Sequence, residues 1–210
     1  MRATHRALCE HGYADVTMQK IADESDRCKG TLHYHFETKR DLLAAYLEFL
    51  HARFVDRVSA AVDESAPPDE RLLAFFERAV SPPDRGRLRA FQTALLEIKA
   101  QAPYEGAFRE RLAAVDGYVH DTVADVVREG VAEGTFRADV DPDDVASFVV
   151  TVFNGVHTRE VVGGSAGGDG RAAGDGSAGD GPPTGVEAQF AEYVARTLRA
   201  DAADGEVAAE

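Results

Sequence analysis

Apolar side chains recur at three-to-four spacing along almost the whole chain. Leu42, Leu43, Tyr46, Leu47, Leu50, Phe54, Val58 and Val62 make one such stripe, the signature of an amphipathic helix with one buried face. Further stripes run over 72–80, over 88–98 (Leu88, Phe91, Leu95, Ile98) and over 108–127 (Phe108, Leu112, Val115, Val119, Val123, Val126). Two more cover 145–156 and 186–198. Pro67, Pro68, Pro82, Pro83, Pro103 and Pro142 mark helix starts or loops, and Gly130, Gly134 and Gly163 are expected at helix ends. No alternating run flanks a hairpin turn. The pattern predicts an all-α fold of about nine helices.

Between residues 16 and 36 the periodic segments are short. Thr17 is placed to cap a helix over 18–25 whose Met18, Ile21 and Ala22 face inward. The chain then turns through Asp26 and Arg27, and Cys28 caps a second short helix reaching about Phe36, with Leu32 and Phe36 four apart on its buried side. Two short helices joined by a tight turn describe a helix-turn-helix. The second helix then turns Lys29, Gly30, Thr31, His33 and Tyr34 outward. That set offers a cation, a close-approach glycine, a hydroxyl and two flat rings with polar tips, which suit phosphates and base edges in a major groove. Residues 163–185 behave otherwise: ten of the chain's 19 glycines fall there, with no aromatic residue and no apolar period. A flexible loop is expected over 163–185, and an acidic tail over 201–210.

Composition changes this picture in one respect. The 210 residues carry 23 Lys+Arg against 37 Asp+Glu, a net charge of −14. Taken whole, that balance argues against a nucleic-acid partner. Residues 1–50, however, hold seven basic and eight acidic side chains, together with four of the seven histidines. The front of the chain is spared the acidity spread over the rest, as a surface that approaches polyphosphate requires. Few lysines and many carboxylates point to a high-salt cytoplasm and a halophilic source. An acidic protein from a GC-rich genome would show the same preference for Arg over Lys. No apolar run is long enough for a membrane span and no signal-peptide pattern opens the chain, so a cytoplasmic location is expected.

G-Y-A-D-V-T-M-Q-K-I-A followed by K-G-T-L-H-Y-H-F-E-T-K-R-D-L-L resembles the N-terminal domain of TetR/AcrR-family regulators, from Ala3 to about Leu50. The string E-G-V-A-E-G-T-F-R-A-D-V-D-P further along is similar to that family's variable ligand-binding half. The resemblance implies a DNA-binding domain at 1–46 and a helical regulatory and dimerisation domain at 47–200. It implies that Thr17 holds a phosphate, that Lys29, Gly30 and Thr31 meet the groove, and that His33 stands where the family usually has Tyr. Tyr34 and Lys39 would contact further phosphates. Asp26, Arg27 and Cys28 depart from the family's usual small or capping residues in the turn. The arm that many relatives carry before the first helix is expected to be missing or to lie upstream of the given start. By the same resemblance the chain is a homodimeric repressor released from a palindromic operator by a small apolar or cationic effector. The two last helices would pair with their copies through Val145, Phe148, Val149, Val152, Phe153, Phe190, Tyr193 and Leu198, at the seam or just beneath it. Helix four would act as the lever between the two domains.

Other chemistry is weaker. His33 and His35 lie two apart, about 200° around a helix, so they cannot share a metal ion; His35 is expected to pack locally. His51, His120 and His157 are open between lining a pocket and being ordinary helical histidines. Cys9 and Cys28 are open between redox sensing and packing or capping. Aromatics beyond residue 70, Phe75, Phe76, Phe91, Tyr104, Phe108, Tyr118, Phe136, Phe148 and Phe153, are expected mostly in the core, with a subset lining a ligand cavity. No phosphate loop, nucleophile elbow or zinc-ligand array stands out, so no cofactor, metal or enzymatic activity is expected. The alternative is a TetR-like ligand- or partner-binding protein that no longer binds DNA.

Overall fold

Hydroxyls set two of the helix starts. Thr17 accepts from Lys20 N–H at 3.2 Å and so opens α2 (Met18–Asp23). Thr38 accepts from Asp41 N–H at 3.2 Å while Asp41 Oδ2 accepts from Thr38 N–H at 2.9 Å, a reciprocal capping box at the head of α4 (Lys39–Ser59). In this computed structural model residues 1–25, 29–81, 88–162 and 185–200 are described. Among them the chain is all-α, with nine helices: α1 (Arg2–Asp15), α2, α3 (Lys29–His35), α4, α5 (Pro68–Val80), α6 (Leu88–Gln101), α7 (Gly106–Glu133), α8 (Pro142–Val162) and α9 (Val186–Tyr193). A π turn, Val194–Leu198, carries α9 to its end. The turn 26–28, the prolines 82 and 83, the glycine-rich stretch 163–184 and the tail 201–210 lie outside the described residues.

Two compact units result, each made from two stretches of chain. The first joins Met1–Ala60 to Ser81–Val119. Its core gathers Ala7 and Leu8 of α1, Met18 and Ile21 of α2, Leu42, Leu43, Tyr46 and Leu47 of α4, Ala94 and Ile98 of α6, and Phe108 of α7. Among the described residues, α1 pairs extensively with α6. Tyr46 is wholly buried and its phenol lies 2.8 Å from His5 Nδ1. Burial pushes that phenol far above its ordinary pKa.

The second unit joins Ala61–Val80 to His120–Glu210. Phe76 of α5 stacks on Phe190 of α9 with ring centroids 3.9 Å apart. Phe136, 1% exposed, lies against Gly130 inside α7. Gly130 is therefore not the helix end expected from sequence. The helix runs on to Glu133 and stops at Gly134, which turns left-handed at φ 77. Gly130 makes room: a Cβ there would stand 2.3 Å from Phe136 Cδ2.

Asp69, only 4% exposed, is paired with the guanidinium of Arg199, and backbone bonds Arg137 N–H to Leu198 O and Ala200 N–H to Thr135 O close the same corner. Arg199→Ala is expected to destabilise the chain by about 2 kcal/mol, because it strands a buried carboxylate; the half-exposed guanidinium keeps the figure below that of a fully buried pair. Urea unfolding of both chains measures the difference, and an unchanged midpoint refutes it.

Tyr104 is a correction to the expected core: it is 83% exposed, in the turn between α6 and α7 that Pro103 enforces. Phe148 is also exposed, at 44%.

Candidate nucleic-acid interface

The α2 and α3 pair is held to the first unit from behind. Met18, Ile21 and Ala22 bury the inner face of α2, and Leu32 and Phe36, partly buried, root α3 on the same core. Arg6 of α1 donates from Nε to Glu24 Oε2 at 2.7 Å and also to the Glu24 carbonyl, tying the end of α2 to α1. Sequence reading missed this clamp, since its two residues lie 18 apart with no periodic signal.

The opposite face of α3 is open. His33 is exposed, Tyr34 is 86% exposed and His35 is exposed. The Tyr34 and His35 rings meet edge-to-face with centroids 5.1 Å apart, and His35 also leans toward Phe36 at 6.5 Å. An aromatic residue exposed to this degree costs hydration free energy, which a groove would recover. Lys29, Gly30 and Thr31 form the first turn of α3; their side chains lie outside the described residues.

Thr17 is exposed at the start of α2; while its oxygen accepts from Lys20 N–H, its own O–H can still be donated outward. Lys39, half-buried at the head of α4, donates from Nζ to the Tyr13 carbonyl at 3.1 Å and lies 4.7 Å from the centre of the Tyr13 ring. Burial lowers the Lys39 pKa from its ordinary value, neighbouring Arg40 adds to this, and Asp15 opposes it. The T-x-x-D pattern of Thr38 to Asp41 could have been read as a capping box from sequence; the Tyr13 carbonyl could not.

The candidate seam residues divide. Val145, Val149, Phe153, Phe190 and Leu198 are buried within their own chain, at 1–7% exposure. Phe148 is exposed, and Val152 and Tyr193 are half-buried, with the Phe148 and Tyr193 rings 5.0 Å apart. Val162 at the end of α8 is 75% exposed and was not singled out by its spacing.

The three uncertain histidines differ too. His157 Nδ1 is 2.8 Å from the Phe153 carbonyl, one turn back, and His120 lies beside Asp121 at 3.5 Å, so both have ordinary local partners. His51 meets the Tyr118 ring edge-on, and its buried Nε2 has no hydrogen-bond partner among the described residues. A cleft of about 210 Å³ in the second unit is lined by Arg137, Asp141, Asp144, Tyr193 and Leu198, among others. It is smaller than the roughly 300–1,000 Å³ of sites that enclose an organic ligand. Among the described residues no three His, Cys, Asp or Glu side chains converge as a metal would require, and no helix is long and apolar enough to cross a membrane.

Comparison with known proteins identifies the family. The profile of bacterial regulatory proteins of the tetR family matches residues 1–46, and that of the BetI-type transcriptional repressor C-terminal domain matches residues 68–174. The chain belongs to the TetR family. The HTH-type transcriptional repressor KstR2 of Mycobacterium tuberculosis is 30% identical over 155 residues, covering 68% of this chain and 70% of KstR2. A TetR transcription regulator from Haloarcula marismortui is 41% identical, with a TM-score of 0.70 over 76% of this chain and 82% of its own. A transcriptional regulator from Saccharomonospora viridis, solved in complex with choline, shares the fold at a TM-score of 0.75 and 22% identity, over 95% of each chain. This TetR-family chain is thus a DNA-binding transcriptional repressor.

Proposed function

We propose that this TetR-family repressor works as a homodimer on a palindromic operator and is released by a small-molecule effector. The observation that carries the reading is the two-sided character of α3: Leu32 and Phe36 fix it to the core while His33 and Tyr34 stand free in solvent. A helix so mounted can enter a major groove without unfolding anything. Lys29, Gly30 and Thr31 lead into the groove, His33 reads a base edge, and Thr17, Tyr34 and Lys39 hold phosphates. Dimerisation runs through Phe148, Val152 and Tyr193, with Val145, Val149, Phe153, Phe190 and Leu198 as the core beneath. Two-fold symmetry then sets the half-sites a whole number of helical turns apart.

Release requires an effector that binds more tightly to a geometry in which the two α3 helices no longer match successive grooves. His51 of α4, with a buried nitrogen beside Tyr118 that lacks a hydrogen-bond partner among the described residues, supports an effector that reaches α4, the lever between the DNA-binding domain at 1–46 and the regulatory domain at 47–200. The acidic composition and the Haloarcula marismortui relative support a halophilic, cytoplasmic setting, and no catalytic activity is proposed.

Footprinting on the chain's own upstream DNA identifies the operator. On it, His33→Ala is expected to change affinity by about 1–3 kcal/mol at one base position and little elsewhere. Lys39→Ala is expected to weaken every sequence alike and to flatten the salt dependence by about 0.9 in log–log slope. Equal effects of both variants on all sequences refute the assignment.

A further inference from the structure

In the first unit, α1, α4, α6 and α7 meet around a short stretch of non-helical backbone. Gly12 interrupts α1 at φ 70 and ψ 176, a region that essentially only glycine enters. The interruption turns the next peptide outward, and Tyr13 N–H donates to Glu97 Oε2 of α6 at 2.6 Å, a charge-assisted bond. The carbonyl of the same residue accepts from Lys39 Nζ. The Tyr13 ring meets Phe108 of α7 edge-on with centroids 6.3 Å apart, and Arg40 pairs with Glu105 at 2.9 Å beside it. Tyr13 thus takes α6 on its amide and α4 on its carbonyl. A Cβ at Gly12 would stand 3.1 Å from Glu97 Oε2, so the glycine also keeps the carboxylate's place open.

A lysine on a flexible stem gives up about 2 kcal/mol of rotamer entropy when a phosphate immobilises it. Lys39 is already anchored by a carbonyl and a ring face, and one ammonium carries three N–H donors, of which Tyr13 takes one. Pre-placement lowers the entropy still to be lost on binding.

We propose that Glu97 is a positioning residue for DNA binding: from α6 it fixes the Tyr13 peptide, whose carbonyl holds the Lys39 ammonium in place for a backbone phosphate. This inference rests on the reading of Lys39 as a phosphate contact. Glu97 itself touches no DNA.

The test compares the full-length chain with Glu97→Ala, Glu97→Gln, Lys39→Ala and the Glu97→Ala/Lys39→Ala double variant, on the footprinted operator across a potassium chloride series in which all stay folded. Glu97→Ala is expected to weaken binding about tenfold and to flatten the log–log salt slope by about 0.9, as Lys39→Ala does. The double variant should flatten it no further. Glu97→Gln still presents an oxygen to Tyr13 N–H and should restore the slope. If Glu97→Ala fails to fold, Glu97→Asp, one methylene shorter, replaces it with the same expected loss. An unchanged slope in Lys39→Ala overturns the phosphate contact itself. A changed slope in Lys39→Ala with an unchanged one in the Glu97 variant overturns the positioning role alone, as does a loss of affinity that Glu97→Gln does not restore.

Discussion

Phe136→Ala should destabilise the chain by about 3–5 kcal/mol, the usual cost of emptying a buried phenyl site. The ring is 1% exposed and seated over Gly130, with Pro68 Cβ beside it, 3.0 Å from where a Cβ on that glycine would stand. Its backbone is pinned as well, since Phe136 N–H donates to the Gly130 carbonyl at 3.0 Å. The site therefore has little freedom to collapse. Gly130→Ala tests the same contact from the other side. In an exposed helix interior that change gains about 1 kcal/mol. Here the added methyl would meet ring carbons at 2.3 and 2.5 Å, so overpacking by roughly 1–3 kcal/mol should outweigh the gain. Once Phe136 is Ala, the ring clash is gone and only Pro68 Cβ at 3.0 Å remains close, so Gly130→Ala should cost much less than it does beside the ring. Urea unfolding of the two single variants and the double variant reads out this coupling. Additive effects would mean that Gly130 is not there to admit the ring.

Phe148→Glu should leave the fold intact and abolish tight operator binding. Phe148 is 44% exposed on α8 and touches Tyr193 at 5.0 Å, so a carboxylate there meets water in the isolated chain. Buried between two copies it would be an unpaired charge, which costs several kcal/mol. A single subunit reads one half-site, and binding should fall toward the non-specific range, a loss of about a thousandfold. Sedimentation should show one subunit and gel shift should show the lost affinity, while circular dichroism shows the helical content retained. Val149→Glu, by contrast, strikes a residue at 1% exposure and should unfold the subunit. A Phe148→Glu chain that still sediments as a dimer on its operator would refute this seam.

Much of this was legible in the residues themselves. Helical spacing located the stripes that became α4 to α9, because a buried helix face must repeat near 3.6 residues. Thr17 before Met18, Ile21 and Ala22 announced α2, and Leu32 with Phe36 announced the rooted side of α3. What failed were inferences about which apolar or special residue meets what. Gly130 looked like a helix stop because glycine usually is one, and its partner Phe136 becomes visible only when the chain has turned back at Gly134. Tyr104 looked like core, yet it sits alone beside Pro103 without a periodic neighbour. Spacing could list Val145 to Phe153, but it could not separate the positions buried in their own chain from Phe148, which is 44% exposed. The attachment of Lys39 to Tyr13, 26 residues upstream, and of Tyr13 to Glu97, 84 residues downstream, left no local trace, since neither bond depends on a repeating pattern.

The interleaving of the two compact units bears on how such regulators can be recombined. Residues 1–60 share a core with 81–119, and Ala94, Ile98 and Phe108 close over the helices that carry α3. A headpiece cut at residue 46 and grafted onto another sensor would arrive without its floor. Chimaeras that transplant DNA specificity should keep this chain's 81–119 segment or match its shape, whereas exchanging only the outward side chains of α3 leaves every internal surface as it was.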